Sequence, residues 1–154
     1  STVKNKKPNI QINLPDNKIL KKAYNYVWIE ENKNYEEYDY ILKDKVTLPN
    51  NHTIEIIDET TDHSNFVTKL NSKEIKLPIH IRPKKDGDKL VLKGLNKQKK
   101  LKDIFIDEKI PVDKRNSWPV ITDDNDEIIW LPGLKKTKFD REKQRNYDII
   151  IRYR

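Results

Sequence analysis

Cysteine is absent from all 154 residues. That excludes a disulfide framework and any thiolate metal site, and it suits a reducing compartment, so a cytoplasmic location is expected. Methionine is absent too, position 1 included, which points to numbering that begins inside a longer reading frame. Glycine is scarce: Gly87, Gly94 and Gly133 are all there is. They stand too far apart for G-x-G-x-x-G or G-x-x-x-x-G-K-[ST], the loops whose backbone N–H groups cradle a nucleotide. An ATP site of that kind is excluded within these residues. No run approaches the roughly 18 apolar residues that suggest a membrane span, and Ser1 to Lys7 leads into no apolar segment of a secretory signal. His52, His63 and His80 have no i, i+4 partner of the kind that holds zinc on a helix. The carboxylate pairs Asp107-Glu108 and Asp123-Asp124 are neighbours in sequence, which does not place two acids in one apolar pocket. They read as helix-surface and turn residues. No catalytic residue and no metal ligand is assigned.

What is present is charge. Charged residues (37%) outnumber hydrophobic ones (34%), so any core is lean. The apolar residues nevertheless cluster in short runs with three Trp and seven Tyr, which rules out a disordered tail. The net charge of +7 is unevenly placed. Residues 1–78 hold twelve cations and twelve anions, so the whole excess lies in 79–154. Between Arg82 and Lys102 there are nine cations and two anions, Asp86 and Asp88. A field of that density attracts and steers polyanions. The competing reading is a solvated face in a lysine-rich chain.

The pattern of elements is β-dominated α+β, with about ten short strands in packed sheets and one main helix. Asn9–Leu14 alternates with period two and stops at Pro15-Asp16-Asn17. Tyr24–Ile29 is aromatic and β-branched, with Tyr24, Tyr26 and Trp28 on one face. Asp39–Leu42, Phe66–Thr68, Ile79–Ile81 and Leu90–Leu92 are further short strands. Val46–Leu48 and Thr53–Ile57 flank a hairpin loop at Pro49–His52, and Trp118–Ile121 and Glu127–Leu131 flank an acidic turn. Asn146–Tyr153 closes the chain as a strand. The helix is placed over Lys97–Glu108, with Asn96 as N-cap and Leu101, Ile104 and Phe105 as its buried stripe. Its lysines then oppose the helix dipole, an arrangement that stability alone does not favour but that suits a phosphate. The tryptophans could stack bases, but Trp118 and Trp130 sit in strand runs where large rings build a core.

Several strings together resemble a known family. They are Leu77-Pro78-Ile79-His80-Ile81-Arg82, Gly87-Asp88-Lys89, Gly94, the stretch Lys99 to Pro111, Arg115, Trp118-Pro119 and Ile129-Trp130-Leu131-Pro132-Gly133. In this order they resemble the carboxy-terminal domain of bacterial tRNA(Ile)-lysidine synthetases over about residues 77–136. Residues 1–76 match more loosely, as the β-rich first part of the module that precedes the basic tRNA-recognition part, 77–154. Lys89 departs from the arginine expected after Gly-Asp, which keeps the charge and loses the bidentate fork. The resemblance implies a parent ligase that uses ATP with Mg²⁺ to attach lysine to the first anticodon cytidine of a minor isoleucine tRNA. It places that chemistry in an amino-terminal domain absent from this chain, so no cofactor is expected here. The implied partners are the acceptor-stem side of tRNA and the parent's own catalytic domain, with a homodimer left open. Candidate tRNA contacts are Arg82, Lys84, Lys85, Lys89, Lys97, Lys99, Lys100, Lys102 and Arg115, with Lys135 and Lys136 as outliers. The skeleton is Gly94, Leu101, Phe105, Trp118, Trp130 and Gly133. Two alternatives stay open: a generic module of another RNA enzyme, and a structural domain that docks on its own catalytic domain.

Overall fold

The computed structural model describes residues 10–15, 18–23, 26–31 and 37–154. Expectations for Asn9, Asp16, Asn17, Tyr24 and Asn25, and for the side chain of Trp28, lie outside what is described. Three strands, β1 (Ile10–Leu14), β2 (Lys18–Ala23) and β3 (Tyr26–Glu31), form one antiparallel sheet. Strand β2 is not evident in the sequence, because Lys-Ile-Leu-Lys-Lys-Ala has little intrinsic strand preference. Pairing on both sides decides it: Leu20 stands opposite Ile12 and Ile29 in one row.

Two larger sheets carry the core. One has the order β13-β12-β11-β8-β4, built from β4 (Tyr40–Leu42), β8 (Ile79–Arg82), β11 (Val120–Thr122), β12 (Ile128–Leu131) and β13 (Lys135–Lys136). The other has the order β5-β6-β14-β7, from β5 (Lys45–Thr47), β6 (Thr53–Ile57), β7 (Val67–Leu70) and β14 (Ile149–Tyr153). They face each other across Leu42, Ile54, Leu70, Ile79, Ile81, Ile121, Trp130 and Ile151. The predicted hairpins β5–β6 and β11–β12 are both present as antiparallel pairs.

The five-stranded sheet is covered on its second face as well. There Leu101, Ile104 and Phe105 of helix α1 (Leu101–Asp107) pack with Leu90 and Leu92 on Val120, Ile128 and Leu131. Burial on both faces explains why Val120-Ile121 and Ile128–Leu131 read as unbroken apolar runs. The register slips between Ile121 and Thr122, leaving Ile129 as an extra residue on β12. That bulge lets Ile129 and Trp130 both join the first cluster while Ile128 and Leu131 join the second.

The helix differs from its sequence prediction at the amino end. Gln98–Lys100 is strand β10, paired with β9 (Lys89–Val91) so that Lys99 faces Leu90 and Lys100 faces Lys89. The physical reason is that 97–100 offers no apolar side chain to bury, so no tertiary gain supports an extra helical turn. The stripe begins at Leu101, which is where the helix begins. Asn96 is not the N-cap; Lys100 holds that position without a side-chain capping bond. At the other end, Lys109 adopts φ 55 and the Ile110 and Lys109 amides donate to the Phe105 and Ile106 carbonyls. This closing motif turns the chain into a short second helix, α2 (Val112–Arg115).

One polar centre lies inside the sandwich. Asp140, 1% exposed, accepts from Thr68 Oγ1 and the Lys69 amide at 3.0 Å each and from the Lys93 ammonium. Burial pushes its pKa up, but these donors more than offset that and hold it below its ordinary value. A carboxyl depressed in the folded state contributes stability above its unfolded pKa, and that contribution is lost as pH falls through the folded one. Asp140→Asn is therefore expected to lower unfolding free energy by about 2–3 kcal/mol at neutral pH. Urea unfolding at a series of pH values checks this: the gap from the parent chain should narrow once pH drops below the ordinary carboxylate range of about 4.

Candidate nucleic-acid interface

A cleft of about 440 Å³ opens between the 83–88 loop, the start of α1 and α2. Six cations line it, Lys18, Lys84, Lys85, Lys100, Lys102 and Arg115, together with Asp86 and Asp88. Leu101 and Phe105, both buried, lie beneath. Lys18 comes from β2 and carried no signal in the sequence, where it stands outside the cationic segment.

The loop is held by Arg82. This side chain ends β8 at 3% exposure, with Nη1 and Nη2 each 3.0 Å from an oxygen of Asp88. Nε donates to Asp126 at 2.9 Å and Nη1 also to the Pro83 carbonyl at 3.0 Å. Asp88 in turn accepts the Lys85 amide at 2.7 Å, and its carbonyl accepts the Leu101 amide at 2.9 Å. One residue thus ties β8, the loop and the first turn of α1 together, and Gly87 at φ +84 makes the tight bend. Lys84 and Lys85 are displayed on this frame. Arg115 is fixed separately, its Nε donating to the Ile110 carbonyl at 2.7 Å.

The sequence candidates therefore divide. Lys84, Lys85, Lys100, Lys102 and Arg115 converge on the cleft. Arg82 lies behind it as a buried strut. Lys89 and Lys97 are exposed but outside it. Lys99 pairs with Asp107 of α1, which raises its pKa chiefly through that hydrogen bond. Lys135 pairs with Glu108 at 3.0 Å. Lys136 donates to the His63 carbonyl at 3.0 Å and to Glu142 at 3.2 Å. Burial pushes Glu142 up, yet His63, Lys136 and Lys69 around it bring its pKa down to about 2. The idea of a lysine-decorated helix start is corrected in part: Lys97, Lys99 and Lys100 precede the helix, while Lys102 lies in its first turn beside Asp103.

Trp118 and Trp130 belong to the core, whereas Tyr26 and Phe66 are exposed. Trp130 is fully buried, and Trp118 packs edge-on against Phe105 with its Nε1 donating to the Pro132 carbonyl at 3.0 Å. His80 lies between two acids, Asp124 at 3.0 Å and Asp39 at 3.3 Å, and its pKa is raised, first by the hydrogen bond with Asp124. No cluster of three or more potential metal ligands occurs among the described residues. The cleft is a concave surface whose charged lining is predominantly cationic.

Known proteins resemble this chain. The profile of a family described as "TilS substrate C-terminal domain" matches residues 79–151. A tRNA(Ile)-lysidine synthase of Bacillus subtilis is 45% identical over 111 residues, which are 70% of this chain and 24% of that protein. A bifunctional protein TilS/HprT of Listeria monocytogenes is 38% identical over 154 residues, covering 95% of this chain and 24% of that protein. The chain thus spans about a quarter of the length of these curated relatives. A solved structure titled "Crystal structure of TILS C-terminal domain" superposes with a TM-score of 0.70 at 32% identity, covering 77% of this chain and 97% of that one.

Removing Arg82 strands the largely buried Asp88 carboxylate and takes a partner from the exposed Asp126. Arg82→Ala is expected to cost about 3 kcal/mol or more in urea unfolding, with Arg82→Lys recovering only part because it lacks the fork. An unchanged unfolding midpoint for Arg82→Ala would contradict the strut role.

Proposed function

The chain belongs to the family of TilS substrate C-terminal domains, and from that premise we propose that it is the tRNA-gripping module of a lysidine-forming ligase. The parent enzyme attaches lysine to the first anticodon cytidine of a minor isoleucine tRNA, at the expense of ATP. The relatives that carry the name tRNA(Ile)-lysidine synthase support this reading. The ligation itself falls to a part of the enzyme outside this chain, in the cytoplasm. ATP with Mg²⁺ does not fit the residues here: Gly87, Gly94 and Gly133 serve three separate turns and build no phosphate cradle.

The observation that carries the proposal is the convergence of Lys84, Lys85, Lys100, Lys102 and Arg115 on one cleft. An A-form stem hides its sequence in a deep groove and presents phosphates and 2′-hydroxyls, so a cationic surface of fixed shape suits it. The domain holds the acceptor-stem side by charge and shape, and exposed Lys89 and Lys97 extend the positive surface beyond the cleft. Its role is to position the tRNA while another domain performs the chemistry.

Binding of this kind releases counterions. The affinity for a tRNA stem is expected to fall linearly with salt on logarithmic axes, and Lys100→Ala should weaken it for every stem sequence while reducing that slope by about one. Titrations by fluorescence anisotropy at several salt concentrations measure both quantities. No RNA affinity at low salt would overturn the proposal.

A further inference from the structure

We infer that the cleft receives the 5′-terminal nucleotide of the RNA, gripping its phosphomonoester in preference to a phosphodiester within the strand. The inference rests on the RNA-binding reading above and adds which part of the RNA enters.

Three observations point there. The first is convergence. The cations arrive from four separate segments, namely β2, the 83–88 loop, residues 100–102 and α2, and surround one volume of about 440 Å³. That is the size of a small-molecule pocket, roughly 300–1,000 Å³, and suits a strand's end nucleotide better than the flank of a duplex. A surface that tracked an interior backbone would spread its cations as a stripe. Three of the candidates outside the cleft that could have made such a stripe are paired elsewhere: Lys99 with Asp107, Lys135 with Glu108 and Lys136 with Glu142.

The second is charge balance. Of the two acids at the cleft, Asp88 is matched by the buried guanidinium of Arg82 directly behind it. With Arg82 and with Asp126, which lies 3.7 Å from Lys85, included, seven cations stand against three acids, Asp86, Asp88 and Asp126, so a clear positive excess remains at the cleft. An interior phosphodiester brings one negative charge, whereas a terminal phosphomonoester brings about −1.5 to −2 and three acceptor oxygens. The 5′ end of an RNA strand can carry such a group; its 3′ end carries hydroxyls. The third is pre-orientation. Arg115 has its Nε–H fixed on the Ile110 carbonyl, and Lys84 and Lys85 stand on a loop locked by Asp88. Donors held this way lose little freedom on binding a compact anion.

The test compares two RNA stem-loops of one sequence, one ending in a 5′-phosphate and one in a 5′-hydroxyl, binding to the 154-residue chain at low salt. The phosphorylated RNA is expected to bind about tenfold more tightly, the worth of one or two charge-assisted hydrogen bonds. A 5′-phosphorylated dinucleotide should compete for the site, and the same dinucleotide without the phosphate should not. Lys84→Ala with Lys100→Ala should erase the preference, with circular dichroism confirming an intact fold. Equal affinity for the two stem-loops, with a steep salt dependence retained, would overturn this inference and leave the RNA-binding reading standing. Failure of both RNAs to bind would overturn both.

Discussion

Arg82 carries its guanidinium into the interior at the end of β8, where Asp88, Asp126 and the Pro83 carbonyl take its N–H groups. A buried charge costs several kcal/mol unless it is matched, and removing one partner of such a pair exposes that cost. The match here has a geometric consequence. Asp88 cannot leave Arg82, the Lys85 amide cannot leave Asp88, and the Leu101 amide is held by the Asp88 carbonyl. The loop that displays Lys84 and Lys85 is therefore in fixed register with the helix that displays Lys102. The bidentate pair thus fixes the wall of the cleft that the 83–88 loop forms.

The division of the lysines follows from the same logic. A chain with this much positive charge has two uses for it, ion pairs that hold the fold and a field that attracts a partner. Lys93 supports the buried Asp140, and Lys136 supports Glu142. These residues lie in the basic half of the sequence yet contribute to structure. The cations at the cleft stand on a frame that those ion pairs and the doubly covered sheet make rigid. A rigid cationic surface loses little conformational freedom on binding, which favours recognition of a fixed shape such as an RNA stem.

Much of this fold is legible in the sequence, and what is not has identifiable causes. Short apolar runs gave away the strands of the sandwich, and Leu101, Ile104 and Phe105 the buried face of the helix. The strings around Gly94, Trp118 and Trp130 carried the family. Strand β10 was hidden because Gln98-Lys99-Lys100 has no apolar period of its own and is placed only by β9. Strand β2 was hidden for the same reason. Arg82 looked like a surface cation because charge density along a chain does not report burial; its place behind the loop depends on Asp126, which is 44 residues away. Asp123 read as an ordinary turn residue, yet it is 4% exposed and accepts three backbone amides, those of Lys76, Asn125 and Glu127. Lys18 reaches the cleft from another sheet, a meeting that no local pattern encodes.

The central claim is that RNA is held at the cleft rather than over the basic half at large. Lysine acetylation footprinting of the chain with and without a tRNA stem tests this residue by residue. Protection should concentrate at Lys18, Lys84, Lys85, Lys100 and Lys102, with Lys114 and Lys143 modified equally in both samples. Protection spread evenly over all exposed lysines, or none at the five cleft lysines, would contradict the account.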